Sequence, residues 1–415
     1  MGIGGNRFAR VELTSTRAPL KKCAGHVNRR SPMNPIFSQV STSVFETMSR
    51  LAREHDAVNL GQGFPDDPGP EDVRRKAAEA VVSGWNQYPP MMGIPELRQA
   101  IARHYQRFHG LTLDWENEVM VTSGATEALT DSLLALIEPG DEVILFQPMY
   151  DAYLPLVRRA GGIPRFVTLR PPHWRIEEDQ LKALFNDRTR VVLLNNPLNP
   201  TATVFAREDL ELLGRYMARF DAVAVCDEVW EHVLFDDVAH TPLLTLPALR
   251  DRVVKIGSAG KIFSLTGWKV GFVCAAPHLL RVIAKAHQYV TFTTPPALQA
   301  AVAYGLDKED SYFLGTRRDF QAARDHFARG LAEVGLKVLP SKATYFLNID
   351  LGERGEDDAT FCRRLVAEAR VAAIPVSAFY DREPVTSVVR FCFAKRNTTL
   401  DTAIDRIGAF MRKRN

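Results

Sequence analysis

The chain has 415 residues, of which 46% are hydrophobic and 24% charged, and its formal net charge is +3. This size predicts two domains or one large domain, and a charge so close to neutral argues against a nucleic-acid or membrane partner. The five cysteines are an odd number without CxxC spacing, which indicates neither a disulfide framework nor a thiolate zinc site. We therefore expect a protein of the reducing cytoplasm.

The first residues differ in composition from the rest. Up to residue 32 they are rich in arginine and lysine and contain one acidic residue, Glu12. Such a composition is found in organelle transit peptides, but no amphipathic face is evident here. We interpret residues 1–33 as a disordered leader or an upstream start, with Met33 as the alternative functional beginning.

Short apolar segments alternate with helical patterns in the middle of the chain. Because these segments are apolar on both faces, they predict strands of a buried, mostly parallel central sheet flanked by helices, in an α/β fold. The predicted strands cover residues 118–122, 142–146, 190–195, 222–227, 253–257 and 270–275, and two of the predicted helices cover 126–136 and 207–219.

The pattern changes near residue 313, where a smaller α+β domain is expected to begin. We expect a large domain over residues 83–311, a small domain over 312–415, and a segment 34–82 that packs on the small domain. Both chain ends would then contribute to the small domain. Its predicted helices are 315–333, 359–369 and 400–412, and its predicted strands are 336–339, 345–350 and 387–393.

A candidate anion site lies at residues 123–129, Ser-Gly-Ala-Thr-Glu-Ala-Leu, between a predicted strand and a predicted helix. Free backbone N–H groups and the helix dipole favour an anion such as phosphate there, and Gly124 permits close approach of the chain. The alternative is an ordinary helix start capped by Ser123 or Thr126.

Two further motifs follow predicted strands. Residues 195–201, Asn-Asn-Pro-Leu-Asn-Pro-Thr, either form a turn or present an asparagine to a ligand beyond the strand end. Asp227 follows the wholly apolar run 222–226. A carboxylate at the edge of a buried region needs a cation or hydrogen-bond donors, so Asp227 is either a helix cap or the partner of a cationic nitrogen.

A lysine loop, residues 258–271, separates two apolar strands. It is not a P-loop, because Lys255 occupies the position of the first glycine and Ile262 that of the Ser or Thr. Lys269 suits a phosphate as a point charge. Lys261, flanked by small residues, is either a solvent-facing lysine or a nucleophile that forms a Schiff base.

The order of these motifs closely resembles the class I/II aminotransferases of pyridoxal phosphate (PLP) fold type I. Within that family, the chain is most similar to the kynurenine/glutamine and methionine aminotransferase branch. The resemblance covers nearly all of residues 34–415 and includes the segments 59–66, 86–88, 147–153 and 389–393.

The resemblance implies the cofactor and its ligands. Lys261 would carry PLP as a Schiff base and shuttle the substrate proton, and Asp227 would pair with the pyridine nitrogen. Asn199 would donate to the phenolic oxygen and Tyr150 would stack on the ring. The residues implied near the phosphate are Gly124, Ala125, Thr126, Ser258, Lys269 and, from the second subunit of a homodimer, Tyr88.

The resemblance also implies the substrate site. Arg390 would bind the α-carboxylate beside Gly63 and Asn199. Phe45 and Phe292, the latter across the subunit boundary, would form an apolar pocket together with Met92 and Tyr150, unless these side chains serve core packing only. The implied substrates are a 2-oxo acid and an amino acid such as methionine, phenylalanine, tyrosine, kynurenine or glutamine, converted with ping-pong kinetics.

Trp230 departs from the family pattern, which has a tyrosine there that bonds the phenolic oxygen. An indole N–H donates but cannot accept, so we expect a donor role to survive.

Two other functions are alternatives to an aminotransferase. A cysteine-S-conjugate β-lyase would use the same site, whereas a PLP-sensing transcriptional regulator would need a folded DNA reader that residues 1–33 are too short to form. A metal hydrolase is not indicated, because no HExxH motif occurs among the ten histidines.

Overall fold

The computed structural model describes residues 33–352 and 354–413, so most of the predicted leader lies outside the described residues. The strands are β1 Val58–Asn59, β2 Val119–Thr122, β3 Glu142–Gln147, β4 Ile163–Thr168, β5 Thr189–Asn195, β6 Val223–Asp227, β7 Val253–Ser258, β8 Gly271–Ala275, β9 Lys337–Val338, β10 Phe346–Asp350, β11 Val371–Ala372, β12 Ile374–Pro375 and β13 Val388–Cys392. The helices are α1 Pro35–Ser38, α2 Val44–Glu54, α3 Glu71–Ser83, α4 Pro95–His109, α5 Trp115–Glu118, α6 Ala125–Leu136, α7 Tyr153–Ala160, α8 Glu178–Leu184, α9 Arg207–Arg219, α10 Ala259–Ile262, α11 Pro277–Val290, α12 Pro296–Leu306, α13 Asp310–Glu333, α14 Asp358–Arg364 and α15 Asn397–Arg412. Short 3-10 turns and a π-helical turn at Leu365–Ala369 complete these elements.

A seven-stranded sheet with the order β2-β8-β7-β6-β5-β3-β4 forms the centre of the fold. Strands β3 to β7 run parallel, whereas β8 is antiparallel to both of its neighbours. The expected mostly parallel α/β sheet is confirmed. Six of the strands were predicted to within one residue, and each of these six is buried along its whole length or nearly so.

Strand β4 was not predicted, and its sequence explains why. Ile163 is exposed, Pro164 and Arg165 follow it, and Val167 is its one fully buried residue. These residues are tolerated because β4 lies at the edge of the sheet, where its outer side pairs with no strand of the described part of the chain.

A second, antiparallel sheet has the order β12-β13-β10-β9. Helices α13, α14 and α15 accompany it in the C-terminal part of the chain. Strand β1, near residue 58, pairs in parallel with β11, so an N-terminal segment does join C-terminal residues.

Nearly all of helix α3 lies in the segment 34–82, for which we expect packing on the small domain. Its buried residues Val73 and Ala77 belong to the core around the large sheet, together with Leu97 and Ala301. Helix α3 packs against α12 because the small alanine side chains of α12 allow close contact with the narrow apolar stripe of α3. Among the described residues, those from 33 to 39 belong to a unit separate from the rest of the chain, and in it the Asn34 side chain caps α1.

The candidate site residues of the large sheet lie at the ends of neighbouring strands. Asn195 at the end of β5 lies beside Asp227 at the end of β6, and Asp227 lies beside Ile256 of β7, two residues before Ser258. Gly271, at the start of the antiparallel β8, pairs with both Ser258 and Thr122. The ends of β2, β5, β6 and β7 and the start of β8 therefore lie at one edge of the sheet.

A buried histidine joins helix α11 to helix α6, whose N-terminus faces this edge. His287 Nε2 lies 3.0 Å from the Met91 carbonyl, and Nδ1 lies 2.8 Å from Glu127 Oε1 and 3.5 Å from Asp131 Oδ2. Because a carbonyl and a carboxylate only accept hydrogen bonds, both ring nitrogens carry protons. Burial alone would lower the pKa of His287, but the adjacent carboxylates of Asp131 and Glu127 outweigh it and raise this pKa to about 9.

We predict that this imidazolium makes stability depend on pH. Since the folded-state pKa lies above the unfolded value of 6.5, its contribution is complete below pH 6.5 and is lost as the pH rises through about 9. His287→Gln should lower the free energy of unfolding by on the order of 2 kcal/mol at pH 6, and the two proteins should converge above pH 9.

Urea unfolding at a series of pH values measures this difference. The control is His326→Gln, which removes an exposed histidine paired with Asp401. A gap between wild type and His287→Gln that does not change from pH 6 to pH 9.5 would contradict the assignment of a buried imidazolium.

Candidate active site

A cavity of about 200 Å³ lies at the edge of the sheet where β5, β6 and β7 end. It brings together ten of the predicted site residues, drawn from five separate stretches of chain. They are Gly124, Ala125, Thr126, Tyr150, Asn199, Asp227, Trp230, Ser258, Lys261 and Lys269. Leu129, Tyr153, Asn195, Val229, Gly260 and Thr266 complete its lining.

One end of the cavity is built for an anion. Helix α6 begins at Ala125, directly after Gly124, whose φ of +82° lies in the region that favours glycine. A Cβ at Gly124 would lie 3.0 Å from Lys269 Cε, and a Cβ at Gly271 would lie 2.5 Å from the Gly124 carbonyl carbon. The glycines therefore allow Lys269 to approach the helix N-terminus, where backbone N–H groups and an ammonium group can hold a phosphate.

Asp227 lies deep in the same cavity, with 6% of its surface exposed. Tyr153 Oη donates a 2.6 Å hydrogen bond to Oδ2, and Asn195 Nδ2 donates to the Asp227 carbonyl at 2.8 Å. Burial raises the pKa of Asp227, and the Tyr153 hydroxyl partly opposes this rise. A cationic nitrogen placed against the carboxylate would favour its charged form.

The Lys261 amine faces this carboxylate from the lysine loop. Its Nζ donates to Tyr345 Oη at 3.1 Å and lies 4.7 Å from the centre of the Trp230 ring. Burial lowers the pKa of Lys261 to about 8, with further lowering from the charges of Arg390 and Lys269. A sizeable fraction of the amine is therefore neutral near pH 8, as a nucleophile or base requires.

Arg390, on β13 of the smaller sheet, is 1% exposed. Its Nη1 donates to Asn199 Oδ1 and its Nη2 to the Gly61 carbonyl, both at 2.8 Å, whereas Nε has no hydrogen-bond partner among the described residues. Burial lowers the pKa of Arg390 to about 10. An unpaired donor on a buried guanidinium is suited to a carboxylate ligand.

Aromatic rings surround this guanidinium. Its central carbon lies 3.9 Å from the Phe346 ring centre, 5.2 Å from that of Phe379 and 5.3 Å from that of Phe45. Of these, Phe45 was predicted from the sequence. The rings exclude water from the guanidinium and provide an apolar surface beside it.

Five predicted site residues do not line the cavity. Arg390 donates to Asn199, Phe45 lies beside Arg390, and the Gly63 carbonyl accepts a hydrogen bond from Tyr345. Tyr88 and Phe292 lie on the surface, 80% and 39% exposed, with ring centres 5.6 Å apart. Met92, a further pocket candidate, packs against the core beside the large sheet.

The sequence motifs do not assign a site role to Tyr153, Asn195 or Tyr345. Tyr153 and Asn195 stand inside motifs that were recognised, and their positions next to strand ends were the available signal. Tyr345 had no such signal, because it precedes an ordinary apolar strand and reaches Lys261 only through the fold.

The donor set fits pyridoxal phosphate. A phosphate matches the helix N-terminus with Lys269, a protonated ring nitrogen matches Asp227, and an aldehyde carbon matches the partly neutral Lys261 amine. The buried Asp227 carboxylate in particular forms no ion pair within 4 Å among the described residues, and a protonated ring nitrogen would supply one.

Comparisons with known proteins agree with this fit. The family model for aminotransferase class I and II matches residues 55–407. The methionine aminotransferase of Escherichia coli K12 is 41% identical over 370 residues, which cover 89% of this chain and 96% of that protein. The human kynurenine–oxoglutarate transaminase 1 is 36% identical over 394 residues, covering 86% and 93%.

Solved structures give the same result. The N-succinyldiaminopimelate aminotransferase of Mycobacterium tuberculosis superimposes with a TM-score of 0.88 at 41% identity, over 91% of this chain and 99% of that one. The chain therefore belongs to the class I and II aminotransferases, PLP-dependent enzymes of fold type I that transfer an amino group between an amino acid and a 2-oxo acid.

Proposed function

We propose that this enzyme takes its amino group from an α-amino acid with an apolar, aromatic or uncharged polar side chain, and that Lys261 both carries the cofactor and moves the substrate α-proton. The observation that carries this proposal is the Lys261 amine, enclosed in one cavity with Asp227 and an anion-binding helix end. The names of the similar enzymes, which include methionine and kynurenine aminotransferases, support the substrate class.

The residues proposed to hold the cofactor divide by chemistry. Asp227 would pair with the ring nitrogen, and Tyr150, Asn199 and Trp230 would contact the ring and its phenolic oxygen. When bound, PLP draws electrons from the substrate Cα and so makes the α-proton acidic. The proposed phosphate ligands are Gly124, Ala125, Thr126, Ser258 and Lys269.

The proton transfers are assigned to Lys261 Nζ. Burial lowers its pKa to about 8, so the amine can accept the α-proton and later return it without a large barrier near neutral pH. The Trp230 ring at 4.7 Å and the buried Tyr345 border this atom. The amino acid and the 2-oxo acid would react one after the other at the same site, with Lys261 Nζ moving the proton in both half-reactions. This order predicts ping-pong kinetics.

Substrate orientation is assigned to Arg390. Its guanidinium is fixed by Asn199 and by the Gly61 carbonyl, and its unpaired Nε can donate to the α-carboxylate. The nearby rings of Phe45, Phe346 and Phe379 support an apolar substrate side chain.

We also propose that the active unit is a homodimer. Tyr88 and Phe292 form an exposed edge-to-face aromatic pair, and Val82, Trp85 and Tyr289 are also largely exposed. Exposed aromatic and aliphatic side chains in such number mark a contact surface, and a second copy would bring Tyr88 to the partner's phosphate site.

The domain boundaries and location belong to the same proposal. Residues 83–311 would form the large domain, with α3 added to it, and 312–415 the small domain. No described helix has the length and apolar character needed to cross a membrane. The described cysteines are free, buried thiols, which supports the cytoplasm as the proposed location.

The attachment site is tested by borohydride reduction of the holoenzyme. We expect one phosphopyridoxyl group per chain, located by peptide mass spectrometry on Lys261, and none on Lys261→Ala. The control variant Lys285→Ala removes an exposed lysine and should be labelled like wild type. Label on another lysine of the wild type would place the cofactor elsewhere.

The carboxylate role predicts a selective loss in Arg390→Lys. Lysine keeps the charge but loses the planar fork, so kcat/KM for phenylalanine should fall by about 100-fold, while the reaction with phenylalaninamide should change little. Half-reactions followed by cofactor absorbance measure both. The exposed Arg396→Lys is the control, and an equal loss for acid and amide would contradict the role.

A donor panel tests the substrate class. Methionine, phenylalanine, tyrosine, kynurenine and glutamine should convert the cofactor to its amine form faster than aspartate does, because the rings around Arg390 are apolar. Single-turnover rates with each donor, followed by turnover with 2-oxoglutarate or pyruvate, give the preference. Faster conversion of aspartate, or no conversion by any donor, would overturn the proposed function.

If the proposed dimer is correct, substitutions in its contact surface should weaken both dimer assembly and PLP binding. Tyr88→Ser combined with Trp85→Ser should shift the mass in solution toward the monomer and weaken PLP retention, since two large apolar side chains leave the surface. Light scattering coupled to gel filtration measures this. The control Leu134→Ser changes another exposed apolar residue, and an unaltered dimer in the double variant would remove this surface from the interface.

A further inference from the structure

The hydroxyl of Tyr345 lies between two groups of different parts of the site. It accepts a hydrogen bond from Lys261 Nζ at 3.1 Å and donates one to the Gly63 carbonyl at 2.7 Å. Tyr345 is 1% exposed, so water does not compete for these bonds. Both partners of the hydroxyl are therefore protein groups.

The direction of the two hydrogen bonds follows from elementary chemistry. A carbonyl oxygen only accepts, so the phenol proton points at Gly63 and the oxygen lone pairs remain for Lys261. Burial raises the pKa of the Tyr345 hydroxyl well above its ordinary value, which keeps the phenol neutral. Tyr345 thus acts as a fixed acceptor for the amine.

The ring that carries this hydroxyl is held on several sides. The Trp230 ring meets it edge to face at 4.5 Å between centres, Phe346 lies at 5.2 Å and Phe320 at 6.0 Å. Such contacts restrict rotation of the side chain and so define the position of Oη. The same Trp230 also presents its face to Lys261 Nζ at 4.7 Å.

The Gly63 carbonyl belongs to a short strap, residues 61–63, that also touches the candidate carboxylate site. The Gly61 carbonyl accepts from Arg390 Nη2 at 2.8 Å. Lys261, Tyr345, this strap and Arg390 therefore form one hydrogen-bonded series that joins the amine to the guanidinium.

We propose that Tyr345 is a positioning residue for proton transfer: its hydroxyl, anchored on the strap and clamped by Trp230, holds Lys261 Nζ at a fixed place relative to Arg390. The inference rests on the proposed role of Lys261. When the substrate carboxylate binds Arg390, the distance from Arg390 to the substrate Cα is fixed. Because Lys261 Nζ is held through Tyr345 on residues 61–63, which also bind Arg390, the amine is already positioned next to the α-proton.

The variant Tyr345→Phe removes the hydroxyl and keeps the ring. With α-deuterated and ordinary phenylalanine, we expect the half-reaction rate constant to fall by about 10- to 100-fold and the deuterium isotope effect to rise. The apparent Kd of the amino acid should stay near the wild-type value. The melting temperature, measured alongside, reports whether the ring still packs.

A second readout does not depend on turnover. PLP is added to cofactor-free, full-length protein over a range of pH, and covalent attachment to Lys261 is quenched with borohydride and counted by mass. Because Tyr345 Oη accepts from the ammonium form, its loss should move the midpoint of the attachment rate to lower pH.

The control is Tyr380→Phe, which removes another hydroxyl that donates to a backbone carbonyl, that of Leu169. It should leave rate, isotope effect and midpoint unchanged. Unchanged values in Tyr345→Phe, or equal changes in both variants, would overturn the inference. If wild-type PLP is trapped on a residue other than Lys261, the proposed function fails instead.

Discussion

A fully buried guanidinium is the interaction on which the site depends. Arg390 stands on the smaller sheet, yet its hydrogen bonds go to Asn199, after strand β5 of the large sheet, and to the Gly61 carbonyl. An unpaired buried charge is very costly, so these partners and the surrounding rings must remain in place whenever the guanidinium is buried. Through its hydrogen bond to Asn199, Arg390 thus connects the proposed substrate site to the loop after β5 that lines the cofactor cavity.

The electrostatics of the site also depend on buried charged residues that do not line the cavity. Asp227 and Glu228 are adjacent in sequence, but Glu228 lies 3.0 Å from Lys255, which also contacts Glu231 at 2.8 Å. Burial would raise the pKa of Glu228, and the charge of Lys255 outweighs it and lowers this pKa. Lys255 already forms ion pairs with Glu228 and Glu231. A cationic partner for Asp227 would therefore have to bind from the cavity.

Much of the large sheet could be predicted from sequence because its strands are apolar on both faces. Edge strand β4 could not, since Pro164 and Arg165 do not follow that pattern. Helix α3 was recognisable as a helix-and-loop segment, but its packing partner, α12, is set by three-dimensional fit that no local pattern encodes.

The site was predictable wherever a residue type and a motif coincide. The order of Gly124, Asp227 and Lys261 along the chain carried that prediction, and one cavity contains all three. Tyr153 and Tyr345 reach the site through hydroxyl hydrogen bonds made across the fold, Tyr153 to Asp227 and Tyr345 to Lys261 and Gly63. The sequence gives no sign of such contacts, because burial of the tyrosine ring is by itself a sufficient reason for a tyrosine in helix α7 or directly before strand β10.

The antiparallel strand β8 has a consequence for how the site forms. Strand β7 ends at Ser258 and β8 begins at Gly271, its register partner, so the chain returns along its neighbour without a crossover helix. Ser258, Lys261 and Lys269 are consequently close in sequence as well as in space. Closing so short a loop costs little chain entropy, and the most charged part of the cavity can assemble early from local contacts, before the distant N- and C-terminal segments arrive.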